Sequence, residues 1–118
     1  MYSNGYACLI FKRPLMDPKL KQKLKINLGA VKRLIKEKAS YEEELAAHTK
    51  SLETTEFEQG SYEFKNLVAM KNEAEEMIQD TARRLEDFKQ RLIASYKPLE
   101  SHTDDELVHE AAELIASF

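Results

Sequence analysis

The side chains able to do covalent or metal chemistry are few and scattered. They are one cysteine, Cys8, and three histidines, His48, His102 and His109. His102 and His109 stand seven residues apart with no cysteine near them, and His48 lies far upstream, so the convergent ligand spacing of a zinc site is missing. Cys8 has no histidine or basic cluster in a structured motif to make its thiol reactive. A lone thiol also cannot build an internal disulfide framework. Glu42, Glu43 and Glu44, like Glu75 and Glu76, are neighbours in sequence. Adjacent helix positions do not face one another, so these acids read as solvated faces rather than acid–base pairs. There is no glycine-rich phosphate loop, GxSxG, HExxH or CxxC. The chain reads as a non-enzyme without metal or organic cofactor.

What remains is binding chemistry, and it lies in the charge pattern. Residues 1–38 carry ten Lys/Arg and two acids (Asp17 and Glu37), a balance of +8, whereas the remainder carries eight against nineteen, a balance of −11. Two readings follow: a basic helix packs beside acidic ones within the molecule, or an acidic partner is steered to the basic end. If Val31 and Leu34 face a core, Lys25, Lys32, Arg33 and Lys36 point outward with Ile26 and Gly29 between them. Glycine costs a helix interior about 1 kcal/mol relative to alanine. An exposed apolar residue beside a small gap, ringed by cations, suits an acidic protein surface. The same residues also fit a solvated helix face with Ile26 at the edge of its stripe. Farther on, Arg83 points outward and Arg84 flanks the seam, where it would cover apolar surface or meet an acid of the first helix. Nucleic acid is disfavoured as a partner: the chain is acidic overall, at −3, and no aromatic platform interleaves with the basic residues. No stretch approaches the roughly 20 apolar residues that span a bilayer. The apolar segment 6–11 is too short for a signal peptide, so the expected compartment is the cytoplasm.

The elements that would position these residues are helical. With 33% charged residues, three glycines, three prolines and no tryptophan, the chain is too poor in turn formers for a β sandwich or barrel. Residues 1–16 have no period, and Arg13-Pro14 disfavours helix. They are expected to form a flexible N-terminal extension, with 17–118 as one domain. Asp17-Pro18 starts a helix expected over 18–57, because aspartate caps and proline is tolerated at the first position. Leu24, Val31, Leu45 and Leu52 mark one seam of that helix, and Leu34 and Tyr41 the other. Lys38 and His48 interrupt the seams. At Glu58-Gln59-Gly60-Ser61 the pattern breaks: Gly60 is expected to end the helix in the left-handed conformation and Ser61 to cap the next. A second helix is expected over 62–96, with Ile78, Leu85 and Leu92 on one seam and Leu67, Ala74, Thr81 and Phe88 on the other, and Lys97-Pro98 stops it. A third is expected over 104–117, opened by the capping-box spacing of Thr103 and Glu106. The fold class is all-α: an elongated three-helix bundle made of a long antiparallel helical hairpin plus a shorter third helix.

The block Lys25-Ile26, Gly29, Val31-Lys32-Arg33-Leu34-Ile35-Lys36-Glu37-Lys38 and Tyr41 resembles the first-helix signature of the tubulin-binding cofactor A family. Asp17-Pro18 matches the family's usual beginning, and Met77-Ile78, Asp80 and Arg83-Arg84-Leu85-Glu86 form a weaker second match. The resemblance runs from about residue 17 to the C-terminus. It implies a three-helix tubulin-folding chaperone that takes β-tubulin after chaperonin release and holds it on the way to the αβ heterodimer, using no nucleotide or metal. It also implies a cytoplasmic, cytoskeleton-associated protein. Because β-tubulin is strongly acidic, Lys25, Lys32, Arg33 and Lys36 become steering candidates, with Ile26, Gly29, Tyr41 and Arg83 as further partner-binding candidates. The chain departs from the family in its extension 1–16 and in Gln79, where members can carry proline; the second helix is therefore expected to be straighter. The alternative is a non-enzymatic coiled-coil adaptor or scaffold subunit of an unrelated complex. In that case polar seam residues Lys38 and His48 would set the register of a homodimer.

Overall fold

A computed structural model describes residues 16–118, so the expected extension, apart from Met16, lies outside the described residues. Three α-helices follow in order: α1 (Pro18–Thr54), α2 (Tyr62–Tyr96) and α3 (Glu106–Ala116), with a short 3₁₀ turn at Lys97–Leu99. The described residues contain no strand, and the architecture is the all-α one that the periodicity implies. At 1.5 Å per residue, α1 alone spans about 55 Å, and α2 runs back along it as the second arm of an antiparallel hairpin.

Each helix begins where a side chain satisfies its first amides. The Asp17 carboxylate accepts from the Lys19 N–H at 2.8 Å, with Pro18 opening the helix. Ser61 Oγ accepts from the Phe64 N–H at 3.1 Å. Asp105 Oδ1 accepts from the N–H groups of Leu107 and Val108 at 2.9 and 3.2 Å.

Two boundaries differ from the sequence expectation. Helix α1 stops at Thr54, not residue 57, because Thr55 is extended (φ −70°, ψ 146°) and its hydroxyl accepts from the Phe57 N–H at 3.1 Å. Thr54 Oγ1 meanwhile donates to the Lys50 carbonyl at 2.9 Å. Threonine hydroxyls compete here with the helical ladder, which ends the helix before Gly60 is reached. Gly60 accordingly has no positive φ. Helix α3 is capped by Asp105 rather than Thr103, since hydrogen-bonded turns carry the chain through Leu99, His102 and Asp105 before a helical turn can form.

The core sits at one end. Leu24, Leu28, Val31 and Leu34 of α1 close on Leu85 and Leu92 of α2, Leu99 of the turn, and Val108 and Ala111 of α3. Met16 and Leu20 pack against this cluster from the start of the described chain. Burying each leucine or valine contributes about 1.5–3 kcal/mol. Within the core one polar contact is closed: Asn27 Nδ2 donates to Ser95 Oγ at 2.5 Å, and Ser95 Oγ donates to the Arg91 carbonyl at 2.8 Å. From that contact, counting outward in sevens along antiparallel helices sets Leu34 level with Phe88, Tyr41 with Thr81, and His48 with Ala74.

Toward the loop the packing changes. No residue between Leu34 and Ala74 is fully buried. Leu45, Leu52, Phe64, Leu67, Val68, Met77 and Ile78 are half-covered, and Met70, Phe57 and Tyr62 are exposed. The hairpin thus has a three-helix base and a two-helix arm. Thr81 stands at the junction, with its Oγ1 buried and without a hydrogen-bond partner.

Candidate partner-binding surface

The eight sequence candidates fall into three places. Lys25, Ile26, Gly29, Lys32, Arg33 and Lys36 lie together on the base half of α1, all exposed to solvent. Tyr41 is half-buried and lies in the arm, in a groove beside His48. Arg83 lies on the outward face of α2, 73% exposed, where its guanidinium reaches Asp80 at 3.6 Å. The structure therefore unites six of the candidates and separates two.

Within the united group, the helix divides the residues again. Lys25, Gly29 and Lys32 line a depression of about 300 Å³ with Leu28, and its far wall is Leu107 and Glu110 of α3. Lys32 Nζ donates to Glu110 Oε1 in an interhelical ion pair. One further contact of this kind joins Lys21 Nζ to Asp105 Oδ2 at 3.0 Å. Two lysines of α1 thus hold an acidic α3 in place, so part of the charge segregation is satisfied inside the molecule. Ile26 and Arg33 lie to the side of this face, and Lys36 continues it one turn past the depression. Ile26 is 58% exposed, and Lys25, Arg33 and Lys36 make no ion pair among the described residues. Gly29 leaves open space: a methyl group built on it would meet nothing within 4 Å, so no neighbouring helix demands the glycine there.

The electrostatics of the α3 attachment have one resolved feature. Lys21 hydrogen-bonds the Asp105 carboxylate, and the amides of Leu107 and Val108 add to its stabilisation. Together these outweigh the opposing effect of burial and hold the carboxyl below its ordinary range. At the other end of α3, Lys89 Nζ sits over the Phe118 ring at 4.8 Å from its centroid. Arg84 finds Asp80 of its own helix at 3.4 Å rather than an acid of α1. His109 likewise pairs along its helix, with Glu113 at 2.6 Å. No group of three or more potential metal ligands converges among the described residues. No described helix is long and apolar enough to cross a membrane.

Sequence reasoning left two features unassigned. The partners of Lys21 and Lys32 could have been sought among the acids of the third helix, since opposite charge was the visible signal, but a helical pattern does not give the docking side. The groove around Tyr41 and His48 drew no notice because Met70 and Met77, which form its opposite wall with Glu73 and Ala74, look like ordinary stripe residues.

Comparison with known proteins gives one family. Residues 19–115 match the family model described as Tubulin binding cofactor A. The chain is 38% identical over 91 residues to tubulin-specific chaperone A of Homo sapiens, covering 73% of this chain and 82% of that protein. It is 36% identical over 91 residues to the Mus musculus protein of the same name, with the same coverage. Against the Bos taurus protein it is 40% identical over 73 residues, 61% of this chain and 67% of that one. No solved structure matches.

Proposed function

The chain belongs to the tubulin binding cofactor A family, and from that premise we propose that it is a cytoplasmic tubulin-folding chaperone that binds β-tubulin after chaperonin release and holds it until the αβ heterodimer assembles. It acts by sequestration rather than catalysis: the bound bundle shields a tubulin surface that would otherwise associate wrongly. The observation that carries the site assignment is Ile26, 58% exposed on α1 among cations that no described carboxylate neutralises. Lys25, Arg33 and Lys36 steer the acidic partner, Ile26 makes the close apolar contact, and Gly29 lets the partner backbone approach. Lys32 serves less directly, because Glu110 already holds it. Arg83 lies off this face and contributes at its margin, whereas Tyr41 lies in the arm groove and is not part of the face.

The test uses the full chain and purified β-tubulin, α-tubulin and actin. Binding is expected for β-tubulin, with an association rate that falls as salt rises. The variant Lys25→Glu/Arg33→Glu/Lys36→Glu spares Lys32 and hence the α3 attachment. It should keep its helical circular dichroism and lower the association rate by about an order of magnitude. Unchanged association would remove this face from the reading. Equal affinity for α-tubulin and actin would remove the β-tubulin assignment. A tight self-dimer that binds none of the three would put the scaffold role in its place.

A further inference from the structure

At the base, the third helix complements two properties of the surface it covers. The hairpin there offers a seam of Leu24, Leu28, Val31 and Leu34, and α3 answers with Leu107, Val108 and Ala111. The helix beneath is basic, and α3 answers with Asp105 and Glu110. The arm offers the same kind of seam with the opposite charge. Residues 39–80 carry eleven carboxylates against three lysines, and nothing in the described chain covers their half-exposed apolar stripe.

That stripe opens into a groove of about 410 Å³ between the two helices. Tyr41, Glu44 and His48 of α1 line it on one side and Met70, Glu73, Ala74 and Met77 of α2 on the other; Ala74 is buried, and the carboxylates Glu44 and Glu73, one from each helix, are exposed. Met70 is 39% exposed. Methionine is unbranched and polarisable and adapts to partners of varied shape. A carboxylate from each helix beside an apolar trough is the complement of a helix with a leucine-like stripe flanked by lysine or arginine. An acidic strand of protein, a nucleic acid or an anionic lipid surface would meet repulsion here.

We propose that the arm of the hairpin is a second docking surface, and that its occupant is a basic amphipathic helix of a partner protein, seated in the Met70–Met77 groove with its cations against Glu44 and Glu73. This does not rest on the β-tubulin assignment, because the base offers the opposite charge on a different part of α1. The two surfaces are separate enough for one chain to engage an acidic and a basic partner together.

The probe is a designed amphipathic helix of leucine and lysine, with an isomer of the same composition whose leucines are spread around the helix. Both are titrated into the full chain while the methionine methyl resonances are followed by NMR. The amphipathic probe should bind saturably and shift Met70 and Met77, leaving the methyl of Ala111 in the base unmoved. The variant Glu44→Lys/Glu73→Lys, exposed at both positions, should keep its helicity and lose about tenfold or more in affinity. Met70→Ser should weaken binding while leaving the charge intact. Four results would overturn the proposal: equal binding of the spread isomer, an unaffected charge-reversed variant, shifts confined to the base, or a concentration-dependent self-association that already covers Met70 and Met77. Binding of β-tubulin by the Glu44→Lys/Glu73→Lys variant reports on the first surface alone, so the two readings can fail independently.

Discussion

The base and the arm of this hairpin share two helices and a heptad pattern, yet they are packed differently. At the base Leu24, Val31, Leu92, Leu99, Val108 and Ala111 are at most 1% exposed. In the arm Leu45, Leu52, Leu67 and Ile78 occupy equivalent seam positions and stay half-covered. The residue types do not explain the difference, since leucine serves both. A two-helix contact shields one side of each stripe, and only a third element closes the other. The short connection after α2 returns α3 onto the base, where Lys21 and Lys32 of the basic half of α1 meet its acids.

This contrast can be broken most directly by truncating matched leucines. Leu92→Ala empties a site with no exposure and should cost about 3–4 kcal/mol. Leu45→Ala, which is half-exposed, should cost about 1 kcal/mol or less by its smaller buried area. Urea unfolding gives both values, and equal losses would mean that the arm is as closed as the base. The next effect belongs to the buried amide. Asn27→Ala removes the donor to Ser95 Oγ and should destabilise by about 2 kcal/mol; His48→Ala, at the same seam position farther along α1 but half-exposed in the arm, should cost visibly less.

The α3 attachment gives a smaller, pH-dependent effect. Asp105→Ala removes the cap of α3 and should cost about 1 kcal/mol at neutral pH. Because Lys21 and two backbone amides hold the Asp105 carboxyl below its unfolded value, its stabilisation is complete above the unfolded pKa. It is lost as the pH falls through the lower, folded one. Thermal unfolding from pH 7 into the acid range should therefore show a decline that Asp105→Asn, which cannot titrate, lacks. Smallest of all is Thr81→Val. It replaces a buried hydroxyl without a partner by a methyl, and should raise stability by up to about 1 kcal/mol. A loss instead would show that the hydroxyl has a role at the junction between arm and base.

Much of this architecture is legible in the residues. The spacing of Leu24, Val31, Leu85 and Leu92, and the Asp17-Pro18 start, announce long paired helices because heptads and caps are local signals. Gly60 misled: its conformational freedom is not needed, since the Thr54-Thr55 hydroxyls end α1 earlier. Thr103 misled for a related reason, because turns stabilised through His102 and Asp105 delay the third helix. The candidate surface was legible as a cluster on α1 and opaque beyond it. The partnership of Lys32 with Glu110 joins residues 78 apart in sequence, and no helical period carries information about which side of a hairpin a third helix takes. The Tyr41–Met70 groove was hidden because it arises from what is missing above the stripe rather than from any unusual residue in it.

The contact between Asn27 and Ser95 has a consequence for how the hairpin finds its alignment. A seam built on sevens reads almost the same after a slip of one repeat, so leucines alone tolerate several misaligned hairpins. Slipping by seven residues would bring Asn27 level with Phe88, whose ring offers the amide no acceptor comparable to Ser95 Oγ. A stranded buried amide costs about 1–3 kcal/mol, enough to empty the slipped population by one or two orders of magnitude. One polar residue in the core thus works as an index mark on an otherwise repeating scale, and it fixes which arm residues face each other tens of ångströms away.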